Sequence, residues 1–183
     1  MNKLTEHTSF DYAQREFAIS RLWELLDGNK EQLNIAHEAV DRHVESGNVA
    51  INIAHSDGHD EKISFCELST RSSQVANWLV SLGIKPGDRV GLMVDPSLAF
   101  YATLFGIIKT GAIAVPMFTL FGIDGLRARV EDSGLTVLVV APEKSDIANE
   151  LHDVHVAVAD ELFLSNLDSF GTEFSTDSKS SDF

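Results

Sequence analysis

Cysteine is nearly missing from this 183-residue chain, and the single one, Cys66, has no intrachain partner. A disulfide framework is therefore excluded, and the chain fits a reducing compartment, the cytoplasm, better than secretion. Without a basic neighbour in the sequence to generate thiolate, Cys66 reads as a structural thiol rather than a nucleophile. Basic residues are also scarce: 14 Lys and Arg against 28 Asp and Glu leave a formal charge of -14. A nucleic-acid surface needs a concentrated basic stripe that displaces counterions, and here the few cations are scattered. No long apolar run occurs. The greasiest stretch, "LAFYATLFGII", is about half of the roughly 20 residues a bilayer span requires, so it reads as a buried helix. The N-terminus "MNKLTEHTSFDYAQRE" lacks the apolar region of a secretory signal. Both glycine-rich phosphate fingerprints, GxGxxG and GxxxxGK[ST], are absent, which disfavours a Rossmann-type nucleotide binder.

What is present is periodicity. A chain of this length can bury roughly 70% of the surface exposed when unfolded, enough for one core without metal. Residues 10 to 46 read as a helical lead-in of two segments broken at Asp27-Gly28-Asn29. In the second, Ile35, Ala39, Val40 and Val44 form the apolar side and Glu38, Asp41, Arg42 and Glu45 the solvent side. "VAINIAHSDGHDEKISF" alternates about Asp57-Gly58, predicting an antiparallel hairpin over 49 to 65. Ser64 and Glu67 form a capping box, and Gly83 a left-handed stop, around a helix whose shared face carries Leu68, Val75, Ala76, Leu79 and Leu82.

From there strands and helices alternate. "RVGLMV" is a strand covered on both faces. Asp95 as N-cap and Pro96 at the first position open a helix over about 97 to 110. A strand at 112 to 117, a helix at 123 to 132, a strand at 136 to 141, a helix at 143 to 152 and a short strand at 155 to 159 follow. The class is α/β, a mostly parallel sheet flanked by helices and preceded by the lead-in and the hairpin. Three regions result: a helical extension over 1 to 48, an α/β subdomain over 49 to 160, and a polar linker or tail over 161 to 183.

No catalytic set can be assembled from local patterns, and no residue is assigned a catalytic role. Lys109, Thr110 and Gly111 sit at a helix C-terminus, where exposed carbonyls repel phosphate, and read as a cap. His37 with Asp41, the group His55, Asp57, His59 and Asp60 at the hairpin tip, and His152 with His155 read as surface residues, because a metal needs several convergent, supported ligands. Arg127 with Glu131 and Arg129 with Asp132 stand at ion-pair spacing on one helix. The loop "FTLFG" ahead of them lies at the C-terminal end of a parallel strand, the edge where open α/β sheets bind ligands.

The blocks "SF-x-EL", "LG-x-KPGDRV", "KTGAIAVP" and "EDSG-x-x-VL", in that order, resemble the N-terminal portion of the AMP-forming acyl-CoA synthetases, over about residues 20 to 145. "NIAHEAVDRH" and "PMFTLFG" are more similar to the acetyl, medium-chain or benzoate-type branch than to peptide synthetases or luciferases. The resemblance implies a ligase that joins a carboxylic acid to coenzyme A through an acyl-adenylate, with ATP, Mg²⁺ and CoA as cofactors. It also implies that the phosphate-cradling loop, the ribose-binding acid and the mobile catalytic lysine lie beyond this sequence. This chain alone is then inactive, with the rest of its synthetase chain as partner and an uncovered sheet edge open to self-association. Of the residues present, the resemblance assigns a CoA contact to Arg129, with Arg127 as competitor, and no metal ligand. The alternative is a non-catalytic binding or assembly module on the same fold.

Overall fold

The computed structural model describes residue 6, residues 9–55 and residues 57–181. The remaining positions of the lead-in (1–5, 7 and 8), of the hairpin (56) and of the tail (182 and 183) lie outside it.

The sheet is the organising element. Strands β1 (Val49–Ala54) and β2 (Asp60–Ser64) form an antiparallel hairpin, and β3 (Arg89–Met93), β4 (Ile113–Pro116), β5 (Val137–Val140) and β6 (His155–Val158) form a parallel sheet ordered β4-β3-β5-β6. Side chains alternate across each strand, so the sequence of β3 and β5 is divided between two cores. Val90, Leu92, Val137 and Val139 enter one core, and Met93, Leu138 and Val140 enter the other. That is why both strands are apolar without interruption. At Gly91 an added Cβ would sit 2.6 Å from Leu138 Cδ1 and 2.9 Å from Leu135 Cδ2, so the two leucine side chains pack directly against the backbone and would have to shift to admit a larger residue.

Helices cover both faces. Helix α1 (Phe10–Glu16) and α2 (Ile35–Ala39), each followed by a 3₁₀ stretch (Ile19–Leu25 and Asp41–Ser46), make the lead-in. Helices α3 (Phe65–Ser81) and α4 (Leu98–Lys109) pack together on one face of the sheet, while α5 (Ile123–Ser133) and the short α6 (Ser145–Ala148) lie on the other. The hairpin, α2 and the outer side of α4 enclose a third core around Val40, Ile53, Ile63 and Leu68.

Most predicted elements form, and the departures have local causes. Ser64 accepts from Glu67 N at 3.1 Å, Gly83 takes φ 88°, and Gly58 in the hairpin turn takes φ 90°. Leu82, however, is exposed, because α3 has already ended at Ser81. Helix α4 is capped by Ser97, whose hydroxyl accepts from Phe100 N at 3.2 Å, rather than by Asp95. In the lead-in the second segment breaks at Val40, so its helical phase is lost. Ile35 and Ala39 are exposed while Ala36 and Val40 are buried. The Cys66 thiol, expected to be structural, is exposed.

The largest difference lies after residue 160. Asp160 caps a seventh helix, α7 (Glu161–Leu167), accepting from Phe163 N at 2.8 Å, and Phe163 and Leu167 are buried in the main core. Beyond it the polar chain lies on the protein surface. Asn77 Nδ2 donates to the carbonyls of Gly171 and Glu173, and Leu33 N donates to Ser178 O at 2.8 Å.

Candidate functional site at the C-terminal edge of the sheet

The strand order creates one topological switch. The chain moves from β3 outward to β4, then crosses back over β3 to β5, so the loops leaving β3 and β5 diverge to opposite faces. Open α/β sheets take ligands in the crevice at such strand ends. Beside that switch, at the same edge of the sheet but one strand over, the loops following β3 and β4 frame a groove of about 360 Å³ lined by Asp95, Pro96, Phe100, Phe118 and Leu120 among others. Thr119 Oγ1 donates to Asp95 Oδ1 at 2.8 Å and ties the two loops together. Asp95 thus holds the groove rather than capping α4. Phe118 is 75% and Leu120 91% exposed, an unusual display of apolar surface.

Arg129 projects from α5 on the same side of the loop. Its guanidinium carbon lies 3.7 Å from the centroid of the Phe121 ring, and Nη1 donates to Gly125 O at 3.0 Å. Arg127 meets Asp124 at 3.7 Å. The ion pairs expected from spacing, Arg127 with Glu131 and Arg129 with Asp132, are thus replaced by a stacking contact and a pair toward the helix N-terminus. Nothing in residue spacing distinguishes these outcomes, because i±3 and i±4 partners are equally near on a helix. Arg89 secures the other end of α5: Nε and Nη2 donate to the carbonyls of Ser133 and Gly134 at 2.8 and 3.1 Å.

The remaining candidates are dispersed. His37 pairs with Asp27 at 3.3 Å, and Asp41 faces Lys109 instead. His59 bonds Asp57 at 2.6 Å, and its ring stacks on His55 with centroids 4.0 Å apart. His155 lies beside Trp78, while His152 is exposed. Among the described residues no group of three or more His, Cys, Asp or Glu could hold a metal ion. Nor does any helix have the length and apolarity to cross a membrane.

Lys109 is the residue that pattern reading placed least well. It ends α4, yet it is only 2% exposed, and Nζ donates to Asp41 Oδ1 and Ser73 Oγ, both at 2.8 Å, and to Ser69 O at 3.2 Å. Burial pushes its pKa below the ordinary lysine value, against the opposing pull of the Asp41 carboxylate. An isolated lysine at a helix end carries no sequence signal of this, since its partners come 68 and 36 residues earlier.

Comparison with known proteins fits this geometry. The family model for AMP-binding enzymes matches residues 38–182. The acetyl-coenzyme A synthetase of Bacillus subtilis is 38% identical over 116 residues, covering 61% of this chain and 20% of its own length. That of Chromobacterium violaceum is 34% identical over 113 residues, again 61% of this chain and 17% of its own. The Brucella canis acyl-CoA synthetase structure superposes with a TM-score of 0.84 at 27% identity, over 94% of this chain and 34% of that one. The anthranilate CoA ligase AuaEII gives 0.70 at 25% identity, over 83% and 30% respectively. This chain therefore spans about a fifth of the curated relatives' length. With the family model covering most of its residues and its sheet superposing on solved members, the chain belongs to the AMP-binding enzyme family.

Proposed function

We propose that this chain is the N-terminal part of an AMP-forming carboxylic acid–CoA ligase. The reaction is attack of a carboxylate on the α-phosphate of ATP, releasing pyrophosphate, followed by displacement of AMP from the acyl-adenylate by the CoA thiol. The observation that carries the reading is the match over residues 38–182 together with relatives named as acetyl-coenzyme A synthetases. Such a reaction needs charge neutralisation at the phosphates, which ATP-bound Mg²⁺ supplies when present. The described residues do not form a site for that ion.

This chain's own contribution is a rigid wall and a ligand-facing loop. Arg129 is the proposed contact to the nucleotide portion of CoA. Its stacking on Phe121 leaves guanidinium N–H groups beyond the one given to Gly125 for a phosphate, and a planar cation suits both phosphate and adenine. Arg127 is the weaker candidate, since Asp124 partly neutralises it. A cytoplasmic location, the uncovered sheet edge as a site of self-association, and a role in fatty acid metabolism belong to the same proposal.

Two measurements test it. The isolated chain should catalyse neither acid-dependent ATP–pyrophosphate exchange nor thioester formation, and turnover by residues 1 to 183 alone would refute the reading. Joined to the remainder of a family member, the chain should support CoA-dependent turnover. There Arg129→Ala should raise KM for CoA roughly tenfold, as loss of one charge-assisted bond predicts, with KM for ATP unchanged.

A further inference from the structure

Three Asp-Gly pairs occur in the chain: Asp27-Gly28, Asp57-Gly58 and Asp124-Gly125. Glycine carries no side chain to shield its amide nitrogen or restrict its backbone, so that nitrogen can reach the preceding carboxyl carbon and close a five-membered imide. Whether it does so in a folded protein depends on freedom. The peptide between the two residues must rotate, and the carboxyl must be available. At the first pair neither condition holds: Gly28 N donates to Glu38 Oε1 at 2.7 Å, and Arg42 and His37 hold the Asp27 carboxylate at 3.0 and 3.3 Å. A Cβ on Gly28 would also fall 2.6 Å from Gln32 O, so this backbone is packed in place. The third pair lies inside α5, where the Asp124 carbonyl belongs to the helical ladder and Arg129 Nη1 bonds Gly125 O at 3.0 Å.

The hairpin tip differs on each count. Gly58 takes φ 90°, the left-handed position that closes a short hairpin loop, and its N–H donates to His55 O at 3.0 Å. Among the described residues nothing lies within 4 Å of where its Cβ would be, so the peptide has room to turn. The Asp57 side chain is 68% exposed. His59 N at 3.2 Å and His59 Nδ1 at 2.6 Å both reach Asp57 Oδ1, so the carboxyl folds forward across the Gly58 amide. The same two contacts hold the Asp57 carboxyl below its ordinary value, and its reactive protonated fraction therefore grows on mild acidification. The other titratable groups at the tip are His55, which meets Glu61 at 3.3 Å and stacks on His59, and Asp60.

We propose that Asp57-Gly58 is a self-modification site, at which the folded chain converts aspartate to isoaspartate while Asp27-Gly28 and Asp124-Gly125 are held inert by the fold. The Gly58 nitrogen bonds to Asp57 Cγ, and the amide proton and the carboxyl hydroxyl depart together as one water. Water then adds to the Asp57 main-chain carbonyl carbon, the bond from that carbon to the Gly58 nitrogen breaks, and the nitrogen takes a proton back. Composition is unchanged and no oxidant or reductant is needed. The backbone now runs through the Asp57 side chain, one methylene longer, and the former main-chain carbonyl is a free carboxylate. His55 N donates to His59 O at 2.9 Å across this loop, so the added length loosens the tip, while Ile53 and Ile63 stay in the third core. The inference is independent of the ligase reading.

The test is to incubate the folded chain in mildly acidic buffer and probe it with an isoaspartyl-specific carboxyl methyltransferase and labelled S-adenosylmethionine, which esterify the freed carboxylate. Peptide mapping then assigns each product to its Asp-Gly pair. Isoaspartate should form roughly tenfold faster at position 57 than at 27 or 124, the ratio produced when one ordinary hydrogen bond must additionally be broken in the barrier. Asp57→Glu keeps the glycine turn but would require a six-membered ring, and it should abolish the product at the tip. In denaturant, where the restraints on Gly28 and Gly125 are gone, the three pairs should react at comparable rates. Equal rates in the folded chain, faster reaction at 27 or 124, or a preference for 57 that survives in denaturant and so reports sequence alone, would each overturn the proposal.

Discussion

At the scale of single residues, Lys109 shows most clearly how a charge is tolerated inside this fold. Its ammonium has three donors, and three acceptors meet them: Asp41, Ser73 and the Ser69 carbonyl. Removing one member is therefore costly, and unequally so. Asp41 retains some solvent contact, with its side chain 20% exposed, whereas the Lys109 side chain is 1% exposed. Lys109→Met should cost about 3 kcal/mol in denaturant unfolding, and Asp41→Ala, which strands a buried cation, up to about 5 kcal/mol. The reverse order would contradict this account. The pH dependence has a definite sign. Because the folded-state pKa of Lys109 lies below its unfolded value, the unfolded chain holds more protons between the two. The burial cost is fully present below the folded value and is relieved as pH rises toward the ordinary lysine value near 10.4. The stability of the parent relative to Lys109→Met should accordingly increase across that alkaline window.

At the scale of elements, the sequence was legible wherever neighbours in sequence decide the structure. Unbroken apolar runs identified β3 and β5, and Asp57-Gly58 marked the hairpin. Legibility failed where two local solutions compete. Asp95-Pro96 and Ser97 both offer a helix start, and the tie is broken by Thr119, which engages the Asp95 carboxylate from another loop. Ser97→Ala should thus lower stability by about 1 kcal/mol, the usual worth of an N-cap, while Asp95→Ala leaves the cap intact. Because Asp95→Ala also loses the Thr119 bond, its loss should match that of Thr119→Val, and a clearly larger loss for Asp95→Ala in thermal unfolding would show that Asp95 shares the capping role. The crossing of α3 and α4 was equally invisible, although it sets the thickness of one layer. A Cβ on Gly106 would fall 2.6 Å from Val75 Cγ1 and 2.9 Å from Ser72 O. Alanine normally favours a helix over glycine by about 1 kcal/mol, but here overpacking of about 1–3 kcal/mol opposes it. Gly106→Ala should be destabilising on balance, and a raised Tm would mean that the two helices can move apart.

At the scale of the whole molecule, what stayed hidden was connection between distant segments. The polarity of residues 171–180 correctly marks a chain outside the core, but composition carries no information about where such a chain lies. That is fixed by Asn77, Asn34 and Lys30, each more than ninety positions away from its partner. This strap of residues 171–180 joins α7 to the first part of the lead-in across α3, whereas the second part is tied to the body independently by Asn34 on Ile108 O, by Asp41 on Lys109 and Ser69, and by Val40 in the third core. Within the lead-in, Glu38 accepts from the backbone of Asp27 and Gly28 at 3.0 and 2.7 Å, and Arg42 binds the same carboxylate. Burial raises the Glu38 pKa, but these donors outweigh it, so the carboxyl stays below its ordinary value and its stabilisation is lost only as pH falls through that lowered range. Deleting residues 171–183 removes five side-chain hydrogen bonds among the described residues, those of Asn77 with Gly171 and Glu173, Asn34 with Ser178, Ser178 with Leu33, and Ser180 with Lys30. Each contributes about 1 kcal/mol, while the β3–β5 core is untouched. The expected result is local rather than global: limited proteolysis should cut residues 26–34 much faster in the shortened chain, whereas amides of β3 and β5 keep their protection. A uniform loss of protection through the sheet would instead show that strap, lead-in and core unfold as one cooperative unit.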